Sequence, residues 1–326
     1  MSDTSERIPG EGTSSAAPAA VVEDGVQPGA GPEREFTVEA RSQFKMVLRR
    51  FLQHKLAVAS LFVLIFMILA SLVGGRLWKY DYDELTPEFS SGPTLDHPFG
   101  TDGPGHDGLA RVLRGAQKSV QIALVVALLS TTFGTLVGAV AGYFRGVVDN
   151  ILMRLTDLLL VIPSIALFAL LANKLAGTGG GNSWLLLSLA LAAISWTSIA
   201  RVVRGVFLSL REKEFVEAAR ALGAPHSRII FRHLLPNAVG PIIVNATITV
   251  AVAILVETAL SFLGLGVKPP DTSLGRLVAE GQQAYDTRPW LFYFPGLFII
   301  VIALSVNFLG DGLRDAFDPT QRRVRA

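Results

Sequence analysis

Residues 217–236 read EAARALGAPHSRIIFRHLLP, a polar segment set between two apolar runs. Glu217 to Leu222 are good helix formers, and Gly223 suits the left-handed turn that closes a helix. Pro225 suits the first turn of a second helix, and Leu235-Pro236 is where that helix is expected to end. Arg220, Arg228 and Arg232 keep the segment in water or against a polar partner surface. The reading is a compact pair of short helices at a membrane face, a shape able to pass force to a soluble partner.

The flanks extend this reading. Half of the 326 residues are hydrophobic, which is too many for an ordinary soluble domain. Leu56 to Val73, Val120 to Phe144, Ile151 to Ala172, Trp184 to Ala200, Ala238 to Val256 and Trp290 to Gly310 are each long enough to consider as spans. Arg154 and Asp157 interrupt the third at its start, but such charges can sit at the interface. The fold class is therefore all-α, a polytopic membrane protein with six transmembrane helices. Residues 1–40 are rich in Gly, Pro, Ala, Ser and Glu, too poor in apolar surface to offset ordering entropy, and are expected to be a disordered tail. That tail lacks the apolar core of a signal peptide, so Leu56 to Val73 is expected to stay as a membrane helix.

Arg41, Lys45, Arg49, Arg50 and Lys55 crowd the entrance to the first span, which puts the N-terminus in the cytoplasm. Six spans return the C-terminus to the same side and place Arg201 to Arg232 there as well. The organisation expected is a tail (1–40), a first helix with an extracytoplasmic loop (41–118), a core of five spans (119–310) carrying the polar loop 211–237, and a cytoplasmic tail (311–326). Within the outer loop, Leu109 to Lys118 has an apolar face of Leu109, Val112 and Leu113, and is expected as a short helix along the outer surface. Gly134, Gly138 and Gly142 recur every four residues, a face that lets another helix of this chain approach closely.

Several motifs resemble one family. Glu217-Ala218-Ala219, Gly223 and Leu235-Pro236 resemble the EAA loop of permease subunits in ATP-binding-cassette importers. His97-Pro98-Phe99-Gly100-Thr101-Asp102, followed by Gly105-His106-Asp107, Leu109, Arg111 and Gly115-Ala116, resembles the outer-loop run of C-type permeases for dipeptides, oligopeptides and nickel. His106 and Gln117 stand where that family usually has Arg. Ala141 to Gly146, the run Glu257 to Gly266 and the ending Asn307 to Asp315 with Asp318-Pro319 agree. The resemblance covers residues 45 to 320.

It implies an importer-permease (MetI-like) bundle in a bacterial inner or plasma membrane. It also implies a second homologous permease, one or two cytoplasmic ATPases, an extracytoplasmic binding protein and a peptide substrate; nickel or another small solute is the alternative cargo. The ATPase-docking loop would comprise Glu217, Ala218, Ala219, Arg220, Gly223, His226, Arg228, Phe231, Arg232, Leu235 and Pro236. Asp102, Asp107 and Arg111 are candidate contacts for the binding protein.

Asp157 and Glu257 are carboxylates at or near span boundaries and are candidates for the pathway or a gate. Each also has a local reading: Asp157 can pair with Arg154, three residues earlier, and Glu257 can fix the turn into the outer loop. Pro163 and Pro241 permit kinks. The five histidines form no ligand set, so no metal site is expected. A charge of +2 spread over loops gives no reason to expect a nucleic-acid partner. Without cysteine there is no disulfide or thiol chemistry. No G-x-x-x-x-G-K-[ST] loop occurs, so no cofactor is expected in this chain, ATP and Mg²⁺ are expected on partner subunits, and the chain is expected to be non-catalytic. An ATP-independent carrier or channel is the reading from a different class.

Overall fold

A computed structural model of the chain describes residues 43–176 and 183–317. The expected tail 1–40, residues 177–182 and residues 318–326 lie outside the described residues. An amphipathic helix α1 (Gln43–Gln53) leads into α2 (Lys55–Leu77), the first span, whose path includes a π turn at Ala70–Gly74. A loop of residues 78–107 follows, and then α3 (Gly108–Phe144), α4 (Gly146–Val161), α5 (Ser164–Ala176) and α6 (Ser183–Arg211). A short α7 (Glu214–Ala221), the long α8 (His226–Phe262), α9 (Leu274–Gln283) and α10 (Trp290–Phe317) complete the described chain. Five helices are long and apolar enough to cross a membrane, and α4 with α5 makes a sixth if that bent pair is one span.

Two expectations are corrected, and the expected kink at Pro163 is a sharp bend. Leu109 to Lys118 is not a separate surface helix but the opening of α3, 37 residues long. Asp107 caps it by accepting a 2.7 Å hydrogen bond from the Ala110 N–H, and once nucleated the helix propagates with nothing to stop it before Arg145. Leu235-Pro236 does not end a helix either, because α8 runs through it. The π turn at Ile229–Leu234 directly precedes Pro236 and supplies a wider local geometry in which its ring and missing N–H are tolerated. The third apolar run, in contrast, is broken. Ile162 is extended, as a residue before proline prefers, and α4 and α5 meet at Pro163 with an 87° bend.

The glycine stripe explains the central pairing. A β-carbon at Gly134 would lie 2.6 Å from the Trp196 carbonyl oxygen, and those at Gly138 and Gly142 would strike the backbone of α6 at Ala200 and Arg204. The two backbones touch, with Ile122, Val126, Leu191 and Ile199 buried along the bundle core. α8 packs on α3, α6 and α10, and α2 packs on α10. Phe62, Phe66, Leu124 and Leu128 stay exposed, as a lipid-facing surface requires.

The bundle has two unlike ends. α3 begins, α9 sits and α10 begins at one, together with the loop 78–107. At the other are the end of α3, α7 and the start of α8; the end of α10 lies against Gly240 of α8, and α1 packs on α10 there.

Candidate functional site

At the second end, α7 and the opening of α8 form the expected helix–turn–helix. Gly223 has φ +75°, the left-handed conformation that reverses the chain, and its N–H donates to the Arg220 carbonyl. Val216, Ala219, Ile229, Ile230 and Leu234 point inward onto Tyr143 of α3 and Val203 and Phe207 of α6. The segment is thus seated on the same two helices that the glycine stripe joins.

Tyr143, missed as a site residue in the sequence although its motif was recognised, lies at the centre of this seat. Its hydroxyl lies 2.7 Å from His226 Nδ1, its carbonyl accepts from Arg211, and the guanidiniums of Arg211 and Arg220 each lie 5.8 Å from its ring centroid. Arg145 at the α3–α4 turn has φ +59° and pairs with Glu212 at 2.5 Å. The opposite face is open, with Arg220 at its edge reaching back over the Tyr143 ring. Glu217, Ala218, Arg220, Arg228 and Arg232 are exposed beside apolar Phe215, Leu222 and Phe231. Of the expected docking residues, Ala219 is buried and Leu235 half-buried, so they hold the segment rather than present it.

At the first end, the candidate contacts Asp102, Asp107 and Arg111 turn inward. Asp107 is fully buried; it accepts from Trp78 Nε1 at 3.0 Å and lies 2.7 Å from His97 Nδ1. Asp102 accepts from the backbone of Gly105 and His106 and from Arg111 Nη1 at 2.7 Å. Arg111 reaches on to Glu280 of α9 at 2.8 Å. Asp107 therefore cannot meet a partner directly, and all three residues brace the loop. For Arg111 the reason lies in distance along the chain, since Glu280 is 169 residues away, whereas Asp102 and Asp107 are held by partners in the same loop and the start of α3. Asp271 adds a second brace, taking Arg114 at 2.7 Å and Lys118 at 3.0 Å.

Glu257 and Asp157 part company. Glu257 is fully buried and accepts from Ser273 Oγ at 2.6 Å, Ser261 Oγ at 2.8 Å and Ser119 Oγ at 3.2 Å, tying α8 to α3 and to the N-cap of α9. This geometry matches the local reading, in which it fixes the turn after α8. Asp157 does not pair with Arg154 as expected; it meets Arg201 of α6 at 2.5 Å. One turn on, Arg204 holds Asp149 through two nitrogens at 2.5 and 2.7 Å, so α4 is fastened to α6 twice. Among the described residues no group of three or more His, Asp or Glu could hold a metal ion.

A bundle of membrane-length helices with a helix–turn–helix seated on its central pair defines a multi-pass helical membrane protein. The comparisons give the family. Residues 134–323 match the binding-protein-dependent transport system inner membrane component, and residues 42–94 match the N-terminal TM domain of oligopeptide transport permease C. The chain belongs to the family of binding-protein-dependent transport system inner membrane components. It is 43% identical over 290 residues to the oligopeptide transport system permease protein OppC of Mycobacterium tuberculosis, covering 88% of this chain and 98% of that one. It is 41% identical over 288 residues to OppC of Escherichia coli K12, covering 87% and 94%. To the dipeptide transport system permease protein DppC of Alkalihalophilus pseudofirmus it is 36% identical over 292 residues, covering 89% and 94%. A chain of the inward-facing MetNI methionine ABC transporter shares the fold, with a TM-score of 0.52 at 20% identity over 64% of this chain and 96% of that one.

Proposed function

We propose that this chain is one of two permease subunits of an ATP-driven importer of di- and oligopeptides. Its relatives carry those cargoes in their names, and the fold is that of a transporter whose name includes ABC. The loop 78–107 and α9 face outward, and both termini and the 212–236 segment face the cytoplasm. ATP is hydrolysed on separate subunits with Mg²⁺, and a binding protein delivers the peptide from outside.

The observation that carries the reading is the seat of the helix–turn–helix. A partner closing on Glu217, Leu222 and Phe231 would push on a segment whose buried side rests on α3 and α6, with Tyr143 and Arg211 as ties. Nothing in that transmission needs a reactive group in this chain. The motion of a nucleotide-driven partner is converted into displacement of packed helices.

The test is co-purification with the subunits encoded beside it, followed by reconstitution. Stoichiometric ATPase chains and peptide-stimulated hydrolysis are expected. Transport by this chain without ATPase chains would replace the reading with an ATP-independent carrier. The orientation is checked by single-cysteine labelling, clean in a chain without native cysteine. Thr94→Cys should react from outside intact cells and Ser227→Cys should not; both positions are exposed.

A further inference from the structure

Between the loop 78–107, α9 and the start of α10 lies a cavity of about 410 Å³. One wall is apolar: Phe99, stacked on Phe294 at 4.0 Å between ring centroids, with Leu277 and Leu291. The other is ionic, with Arg111, Arg276 and Arg288 against Asp102 and Glu280. The carboxylates are already committed. Asp102 is held by Arg111, and Glu280 is shared between Arg111 at 2.8 Å and Arg276 at 2.7 Å. Arg288 is left over. Its guanidinium has one partner among the described residues, the Ser90 hydroxyl at 3.1 Å, and no carboxylate. A half-buried guanidinium with open donors beside an aromatic wall favours an anionic acceptor joined to an apolar group.

We infer that this cavity is a binding site for a carboxylate carried next to an apolar side chain, with Arg288 taking the carboxylate and the Phe99–Phe294 wall taking the side chain. Two sources present that chemistry: the C-terminus of a short peptide, and an acidic side chain of a docked outer protein. The site's outward position rests on the importer reading; the binding preference does not.

The experiment uses the purified full-length chain and titration calorimetry with N-acetylphenylalanine and its amide. The acid is expected to bind about tenfold or more tightly than the amide, as a charge-assisted hydrogen bond requires. Arg288→Gln should abolish that difference and Arg288→Lys should keep part of it, with melting temperatures unchanged. A third probe, a short peptide with an internal Glu next to Phe and an amidated C-terminus, separates the sources. Preference for N-acetylphenylalanine over this probe assigns the site to a free C-terminus, and the reverse assigns it to a protein side chain. Equal binding of acid and amide to the unaltered protein, or no measurable binding of either, overturns the site whatever the variants do. So does an acid preference that survives in folded Arg288→Gln. Failure here with peptide-stimulated ATPase intact would leave the importer reading standing; the converse would leave the cavity standing.

Discussion

The two ends of the bundle solve opposite problems. At the α9 end, the carboxylates that brace the loop are satisfied internally: Asp102, Asp107, Asp271 and Glu280 each have partners, Asp107 and His97 are buried together, and among the charged groups lining the cavity Arg288 alone has no opposite charge among the described residues. At the α7 end, the inward face is apolar and the outward face is unspent, with Leu222 88% and Phe231 57% exposed next to Glu217 and Arg232. Exposed large apolar side chains among charges, in a segment firmly seated from behind, are what the proposed docking of a partner requires. One end has its bracing carboxylates satisfied from within; the other, on the proposed function, is half of an interface.

That contrast predicts unequal responses to substitution. Asp107→Ala strands Trp78, His97 and the cap of α3 without an acceptor, and should cost about 3 kcal/mol or more, as loss of one member of a buried polar network does. A lower thermal midpoint and reduced membrane level would register it; an unchanged midpoint would break the description of that end. Gly223→Ala forces a β-carbon into φ +75°, with open space around it, and should cost about 1 kcal/mol from backbone strain alone. The same readout against Gly296→Ala, a helix glycine with open space around it and no positive φ, isolates the strain.

The smallest effect belongs to the exposed Lys79–Asp96 pair. A hydrogen bond from Lys79 holds the Asp96 carboxyl below its ordinary value. A lowered carboxylate contributes stability that is present above the unfolded value and lost as pH falls through the folded one. Solvent and salt screen it, so Lys79→Met should leave the neutral-pH melting temperature unchanged in physiological salt. A small drop at low salt should vanish as the pH falls through the carboxylate range.

What could be read from the chain followed from local spacing. The four-residue repeat of Gly134, Gly138 and Gly142 anticipated a close helix contact, and Gly223 anticipated its left-handed turn. Pro163 signalled a kink but not its size, and the 87° bend comes with the extended Ile162 that precedes the proline. The failures were pairings across distance. Arg154 was the near partner for Asp157, yet Arg201 is 44 residues away and takes it. Arg111 was read as a candidate outer contact, and Glu280, 169 residues on, takes it. That Arg288 meets the Ser90 hydroxyl and no carboxylate among the described residues is likewise set by the fold and not by local spacing.

The central claim is that the exposed face of the α7 end transmits nucleotide-driven motion. Its most direct test is peptide-stimulated ATPase activity of the reconstituted complex carrying Glu217→Arg. Glu217 is exposed and in no ion pair among the described residues, so the chain should insert and melt as before, within about 0.5 kcal/mol. Charge reversal against a desolvated partner surface should nevertheless cut stimulation by about tenfold or more. Normal stimulation in a normally assembled complex would contradict the account.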